Sequence, residues 1–263
     1  AVGYAALDAN TTANNNVAMG YGALTTNTTG ASNIAIGSNA LRDNTTAASN
    51  IAIGIEAMIL NTTGAYNTAV GANALDANTT ASNHTAIGYA ALGANTSGTN
   101  NTAVGYQTLI LNTTGISNVA LGHNTLSANT TGAGNIGLGY QVLASNTTAN
   151  YNTGVGYDAL NKNTTGTENV AVGSFAADAI TTGSYNTAIG GSALSIATTA
   201  SNNTAVGWGA LKVNTSGANN TSVGYGTLDA STTGDNNVAM GYAALGANTT
   251  GIQNTAIGSY ALD

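Results

Sequence analysis

The chain has 263 residues, no cysteine, no proline and only 13 charged side chains, with a net charge of −7. Without cysteine it can form neither disulfides nor thiolate metal sites, and without a basic surface it is unsuited to nucleic acid or to an anionic membrane. We expect no membrane insertion, because no apolar run approaches the roughly 18 residues of a spanning helix.

A 17-residue repeat organises the whole sequence. A glycine that follows an apolar residue recurs at every seventeenth position from Gly3 to Gly258, without insertion or deletion. We number each copy from this glycine as position 0. A period this strict indicates that each copy stacks in register on its neighbour. The sequence therefore predicts one continuous repeat array over residues 1–263. Because the array starts and stops within a copy, we interpret it as a segment of a longer protein.

The residues before the glycine predict a short strand. Position −4 is Asn in every copy except the one with His84, position −3 is always β-branched, and position −1 is always apolar. Alternation and β-branched residues favour a strand over a helix. Position −2 is Ala, Gly or Ser, so positions −2 and 0 make a small-residue face. That face either lets another backbone approach closely or lines the inside of its own coil.

The residues after the glycine predict a second strand around positions +2 to +4. Position +4 is Leu in fourteen copies, with Met58 and Ala177 as the exceptions. We predict that positions −1 and +4 form the core. All charged residues fall in five columns, +2, +5, +6, +11 and +12, which we interpret as the solvent face.

An Asn-Thr-Thr-Gly segment at positions +7 to +10 completes the repeat. Asn and Gly tolerate turn conformations, and identical Asn side chains can stack into amide ladders. The columns together predict an all-β fold, a parallel β-solenoid or β-roll of sixteen 17-residue coils.

The strand motif resembles a known family. Residues 33–37 (Asn-Ile-Ala-Ile-Gly), 118–122 (Asn-Val-Ala-Leu-Gly), 169–173 and 237–241 resemble the YadA-type head repeats of trimeric autotransporter adhesins, and the style is similar to repeats of some phage tail fibres. The resemblance implies a left-handed β-roll, a homotrimeric fibre, display outside a cell or on a virion, and a role in attachment. The period of 17 is longer than that family usually shows, and no coiled-coil stalk or anchor is present.

The sequence contains no catalytic constellation. His84 and His123 occupy different columns, while Glu56 and Asp158 share a column but lie six copies apart. That separation exceeds the reach of a general acid–base pair. Neither a phosphate-binding loop nor a calcium-binding loop is evident. We therefore expect no enzyme, no metal site and no cofactor.

Two columns are candidates for recognition. Position +1 is aromatic in many copies, and such a column either binds a partner or packs as a ladder, which we favour. The Thr column at +8 could bind ice, but its neighbour at +9 is also Thr, so the two would point to opposite faces of a strand. The aromatic column comprises Tyr4, Tyr21, Tyr89, Tyr106, Tyr140, Tyr157, Trp208, Tyr225 and Tyr242.

The Asn-Thr-Thr and Asn-Thr-Ser runs also have the form of glycosylation acceptors. They carry glycans only if the Asn side chains face outward, and we favour an inward ladder. The acceptor asparagines are Asn10, Asn27, Asn44, Asn61, Asn78, Asn95, Asn112, Asn129, Asn146, Asn163, Asn214 and Asn248.

These patterns predict an extracellular structural fibre, at a cell or virion surface, that mediates or displays attachment. Its expected partners are copies of itself and host-surface glycans or proteins. The alternative is a solenoid binding module that recognises ice or glycans through its Thr and Tyr columns.

Overall fold

The computed structural model describes all 263 residues as short β-strands joined by turns, with no helix that could cross a membrane. The chain forms two compact units, residues 1–133 and 134–263. Each unit is a parallel β-solenoid in which one 17-residue copy makes one coil. The predicted all-β solenoid is confirmed, while the homotrimer stays a prediction.

Each coil contributes one strand, which pairs in parallel with the strand 17 residues away. Val17 lies opposite Ile34, for example, and the first copy adds only a bridge between Val2 and Met19. The strands of the first unit are β1 (Val17–Met19), β2 (Ile34–Ile36), β3 (Ile51–Ile53), β4 (Thr68–Val70), β5 (Thr85–Ile87), β6 (Thr102–Val104) and β7 (Val119–His123). Those of the second unit are β8 (Ile136–Tyr140), β9 (Thr153–Tyr157), β10 (Val170–Val172), β11 (Thr187–Ile189), β12 (Thr204–Val206), β13 (Thr221–Val223), β14 (Val238–Met240) and β15 (Thr255–Ile257).

Positions +2 to +4 form turns, so the predicted second strand is wrong. The residues at +2 and +4 have positive φ in every copy, as in Asn39 (56°) and Leu41 (53°). A left-handed residue at every second position prevents an extended strand. The segment still bonds along the solenoid, because the backbone N–H of Leu41 donates to the carbonyl oxygen of Ala57 at 3.0 Å.

The glycine at position 0 is required by both conformation and space. Gly20 has a φ of 133°, and a Cβ atom at this residue would lie 2.5 Å from the carbonyl oxygen of Gly37 in the next coil. A side chain would therefore strain the backbone and collide with it. The same requirement explains why this glycine recurs in all sixteen copies.

The interior of each coil is filled by positions −2, +3 and +4. Ala35, Ala40 and Leu41 have no exposed surface, which confirms the prediction for position +4. The prediction that position −1 belongs to the core is wrong, since Met19 and Met240 are 48% and 46% exposed. Side chains alternate along a strand, so an inward residue at −2 turns both −3 and −1 outward. The small-residue face thus lines its own coil.

Position −2 is small because the interior is narrow. A Cβ atom on Gly154 would lie 2.5 Å from Cγ1 of Val142, which occupies position +3 where most copies have Ala. The larger residue at position +3 is thus accompanied by a smaller residue at position −2. Close packing of this kind leaves little tolerance for added volume.

Two asparagine ladders join the coils. At position +7, the Nδ2 atom of Asn44 donates to Oδ1 of Asn27 at 2.8 Å and to the carbonyl oxygen of Ala47 at 3.0 Å. At position −4, Nδ2 of Asn33 donates to the same carbonyl at 2.8 Å, and its Oδ1 accepts the N–H of Asn50 at 3.0 Å. Buried amides with satisfied hydrogen bonds fix the register of one coil on the next.

One coil of the second unit departs from this pattern at both position +4 and position +7. Ala177 replaces Leu at +4 and Ile180 replaces Asn at +7, and both are buried. Ile180 supplies apolar volume in the coil that lacks its leucine. Because Ile180 has no amide to donate, the buried Oδ1 of Asn163 in the preceding coil has no hydrogen-bond partner.

Restoring both repeat residues of this coil should show strong coupling. Ile180→Asn alone gives Asn163 a donor but leaves a gap beside Ala177, so we expect it to lower the free energy of unfolding by about 1–3 kcal/mol. Ala177→Leu alone should crowd Ile180. The double variant should recover most of the loss, with a coupling energy of about 1 kcal/mol or more in a urea-unfolding cycle.

A matched cycle tests whether this coupling is local. Ser231 occupies position +7 three coils further on, so Ser231→Asn makes a similar change away from Ala177. The effects of Ser231→Asn and Ala177→Leu on the free energy of unfolding should therefore add. Equal coupling energies in the two cycles would contradict the inference that Ile180 fills the space left by Ala177.

Candidate functional site

The outward side of each sheet is uncharged and largely apolar. We call positions −3 and −1 of strands β1 to β15 the sheet face. It consists of Thr, Val and Ile at −3 and of Val, Ile, Leu and Met at −1, and none of the charged residues lies in these columns. Its side chains are half-buried to exposed. Contiguous exposed patches that are apolar and uncharged mark candidate interaction sites.

The aromatic side chains at position +1 stack along the coils beside the sheet face. The ring of Tyr106 stacks on Tyr89 and on His123, with centroid separations of 5.4 and 5.1 Å. In the second unit, Tyr225 stacks on Trp208 at 4.9 Å and on Tyr242 at 5.3 Å. We call these stacks the aromatic ladders. The predicted column therefore forms ladders, which Ser38, Ile55, Ala72, Ser174 and Gly191 divide into groups.

Two ladder members were missed by the sequence analysis. Phe175 packs edge-on against Tyr157, and Tyr260 packs edge-on against Tyr242, with centroid separations of 5.3 and 5.2 Å. Both lie at position +2, where left-handed backbone turns the side chain back toward the ladder. The available indication was an aromatic residue in a column that otherwise holds only polar residues, Ala and Gly.

Ring stacking limits what the ladders can recognise. Inside a ladder the faces of each ring meet neighbouring rings, as in Tyr225 and Tyr242 with an interplanar angle of 4°. Mainly the ring edges and hydroxyl groups remain open to solvent. Because a sugar packs against the open face of an aromatic ring, the geometry favours a packing role over glycan recognition.

The Thr hydroxyls of position +8 are engaged within the solenoid. Oγ1 of Thr28 donates to the carbonyl oxygen of Thr45 at 3.0 Å, and Oγ1 of Thr164 donates likewise to that of Thr181 at 2.9 Å. The hydroxyl row therefore reinforces the contacts between coils. It offers few free donors to an ice lattice.

The acceptor asparagines of position +7 point inward. In all twelve the Nδ2 atom, to which a glycan would be attached, donates to the carbonyl oxygen three residues later. Ten are fully buried, and only Asn10 and Asn248 in the first and last copies are partly exposed. The buried, hydrogen-bonded amides give this column a structural role within the solenoid.

His84 is a buried titratable group inside the −4 ladder. Its Nδ1 atom lies 3.3 Å from the backbone N of Asn101 and accepts that N–H, as Asn Oδ1 does in other coils. Its Nε2 atom lies 3.3 Å from Nδ2 of Asn95. The neutral ring with its proton on Nε2 satisfies the first contact. Burial lowers the pKa of His84 to about 4, against backbone hydrogen bonds that favour the charged form.

Two aspartate side chains outside the ladders are partly buried. Burial raises the pKa of Asp76 and of Asp178. Asp76 borders an open depression with Asn73, Gly93 and Ile110. No group of three or more His, Cys, Asp or Glu side chains could hold a metal ion.

Comparisons of the chain with family models, with curated proteins and with solved structures found no match.

Acid should weaken the first unit through His84. The folded pKa is about 4 and the usual value is 6.5, so between these values the unfolded chain binds a proton that the folded chain excludes. Stability therefore falls as pH drops through this window, by about 3 kcal/mol in total. His84→Asn should remove that loss, measured as urea-unfolding midpoints at pH 7 and pH 4.5.

Two comparisons isolate the effect. His123 is exposed, so His123→Asn should leave the pH dependence unchanged. Asp76 and Asp178 titrate in the parent and in both variants, so their contribution cancels in the differences. If His84→Asn lost as much stability between pH 7 and pH 4.5 as the parent chain, His84 would not be the group responsible.

Proposed function

We propose that this chain is a structural fibre segment that self-associates through its sheet face and serves attachment at an extracellular, cell or virion surface. Its partners are further copies of the same chain, and a surface glycan or protein is the attachment target. The role requires neither catalysis nor a cofactor. It rests on one observation, the uncharged apolar face that each unit leaves uncovered.

The size of this face supports association with a second protein surface. The sheet face presents fourteen side chains in the first unit and sixteen in the second, two from each strand. A standard protein–protein interface uses about 20–30 residues on each partner, so the sheet face of one unit would supply more than half of the smaller figure and flanking residues would supply the rest. Covering the face with another copy would remove the apolar surface from water and leave no buried charge unpaired.

The repeat supports a second copy of the chain as the partner. A face built from two columns repeated at a fixed spacing matches another face with the same spacing, so a second copy is complementary along its whole length. The homotrimer implied by the adhesin resemblance is one closed arrangement of this kind. The acidic and polar columns stay outward and keep the fibre soluble.

Charge placed on the sheet face should dissociate the assembly. A single chain has a mass of 25.6 kDa, and a trimer has three times that mass. The unaltered chain should sediment as an oligomer. Ile53→Glu and Ile87→Glu should sediment as single chains, because burying an unpaired carboxylate costs several kcal/mol. Sedimentation equilibrium, with electron micrographs of the same samples, provides the measurement.

Control variants carry the same change elsewhere on the first unit. Leu60 and Leu111 are exposed at position +6, away from the sheet face. Leu60→Glu and Leu111→Glu should keep the parental mass. A monomeric parent chain, or equal loss of mass in both sets of variants, would refute association through this face.

A further inference from the structure

We propose that the stacked tyrosine pairs of the aromatic ladders are sites of oxidative cross-linking, at which neighbouring coils become joined by dityrosine bonds. The inference rests on the ladders alone and does not require the assembly proposed above. The pairs are Tyr4–Tyr21, Tyr89–Tyr106, Tyr140–Tyr157 and Tyr225–Tyr242.

The four pairs share one geometry. Their ring centroids are 5.0 to 5.5 Å apart and their interplanar angles are 4° to 17°. Each pair joins residues 17 apart, so the two phenols belong to adjacent coils at equivalent positions. Parallel strand pairing holds them in this arrangement.

The phenols are open to an oxidant. The exposed fraction of the eight residues runs from 40% in Tyr140 to 77% in Tyr4. Their ring edges, which carry the hydroxyl group and the carbons ortho to it, are not enclosed by the ladder. The rings can therefore tilt toward one another about their side-chain torsions without disturbing the coil interior.

The chemistry is one-electron phenol oxidation by a haem peroxidase with hydrogen peroxide. Each tyrosine loses one electron and one proton to give a phenoxyl radical, whose spin lies partly on the ortho carbons. Two radicals form a carbon–carbon bond between ortho carbons, and each ring regains aromaticity when the proton on that carbon moves to the oxygen. One peroxide accepts the two electrons and two protons and becomes two waters.

Stacking favours coupling within a pair over other outcomes. A phenoxyl radical on an isolated tyrosine must meet a second one by diffusion, whereas here the partner is held in contact, which raises its effective concentration greatly. The chain has no cysteine, so disulfides cannot join its coils. A dityrosine bond closes a 17-residue loop and would oppose local opening of the two coils.

Three tyrosines provide an internal control. Tyr66, Tyr151 and Tyr185 lie at position +12 and are 68%, 65% and 55% exposed. None of them belongs to a stacked or edge-on aromatic pair. They are as open to the oxidant as the ladder residues but lack a neighbouring phenol.

The test treats the full chain with horseradish peroxidase and hydrogen peroxide. We expect dityrosine fluorescence, an intact mass that falls in steps of two hydrogen atoms up to four steps, and a band that stays at the single-chain position on a denaturing gel. A variant carrying Tyr21→Phe, Tyr106→Phe, Tyr157→Phe and Tyr242→Phe keeps one phenol of each pair and all the rings. Its fluorescence and mass steps should fall to background.

The matched variant carries Tyr66→Phe, Tyr151→Phe and Tyr185→Phe, and it should cross-link like the parent. If the fourfold variant loses its β-sheet circular dichroism, Tyr157→Phe alone should remove one mass step. Coupling only between chains, addition of oxygen without loss of hydrogen, or equal coupling in the fourfold variant would each overturn the proposal.

Discussion

The structure depends on the hydrogen bonds that join each coil to the next at a spacing of 17 residues. Strands of three to five residues are too short to hold a register alone, and the two buried asparagine ladders add side-chain hydrogen bonds between successive coils. Both Asn columns converge on the carbonyl of position +10, so a shift by one residue would leave several buried amides unpaired. This penalty accounts for a repeat without insertions.

The narrow interior then decides which surfaces face outward. Ala at −2, a small residue at +3 and Leu at +4 fill the coil, and there is no room for the β-branched and apolar residues of −3 and −1. These residues form the sheet face instead. An apolar exterior is thus a direct consequence of a core that accepts one large side chain per coil, and association with further copies would give that exterior the cover the coil cannot provide.

Departures from the repeat are informative because every copy otherwise meets the same environment. Ile180 breaks one amide ladder where Ala177 has left space, and His84 replaces a ladder asparagine while keeping its acceptor role. The gaps in the aromatic column divide the ladders into groups. The repeat thus provides a uniform frame, and the local packing and hydrogen bonding vary through a few substitutions within it.

The sequence by itself determined the solenoid, the length of its coil, the buried Leu column and the aromatic ladders, because each follows from a period and a residue type. It did not determine the direction of the strand side chains: an alternating apolar and small pattern is compatible with either face inward, and position −1 was assigned to the wrong side. It also did not give the turns at +2 to +4, since Leu rarely adopts left-handed backbone, or the burial of His84. Only the tertiary structure decided these points, because they depend on the volume enclosed by one coil and on the atoms that the next coil presents to it.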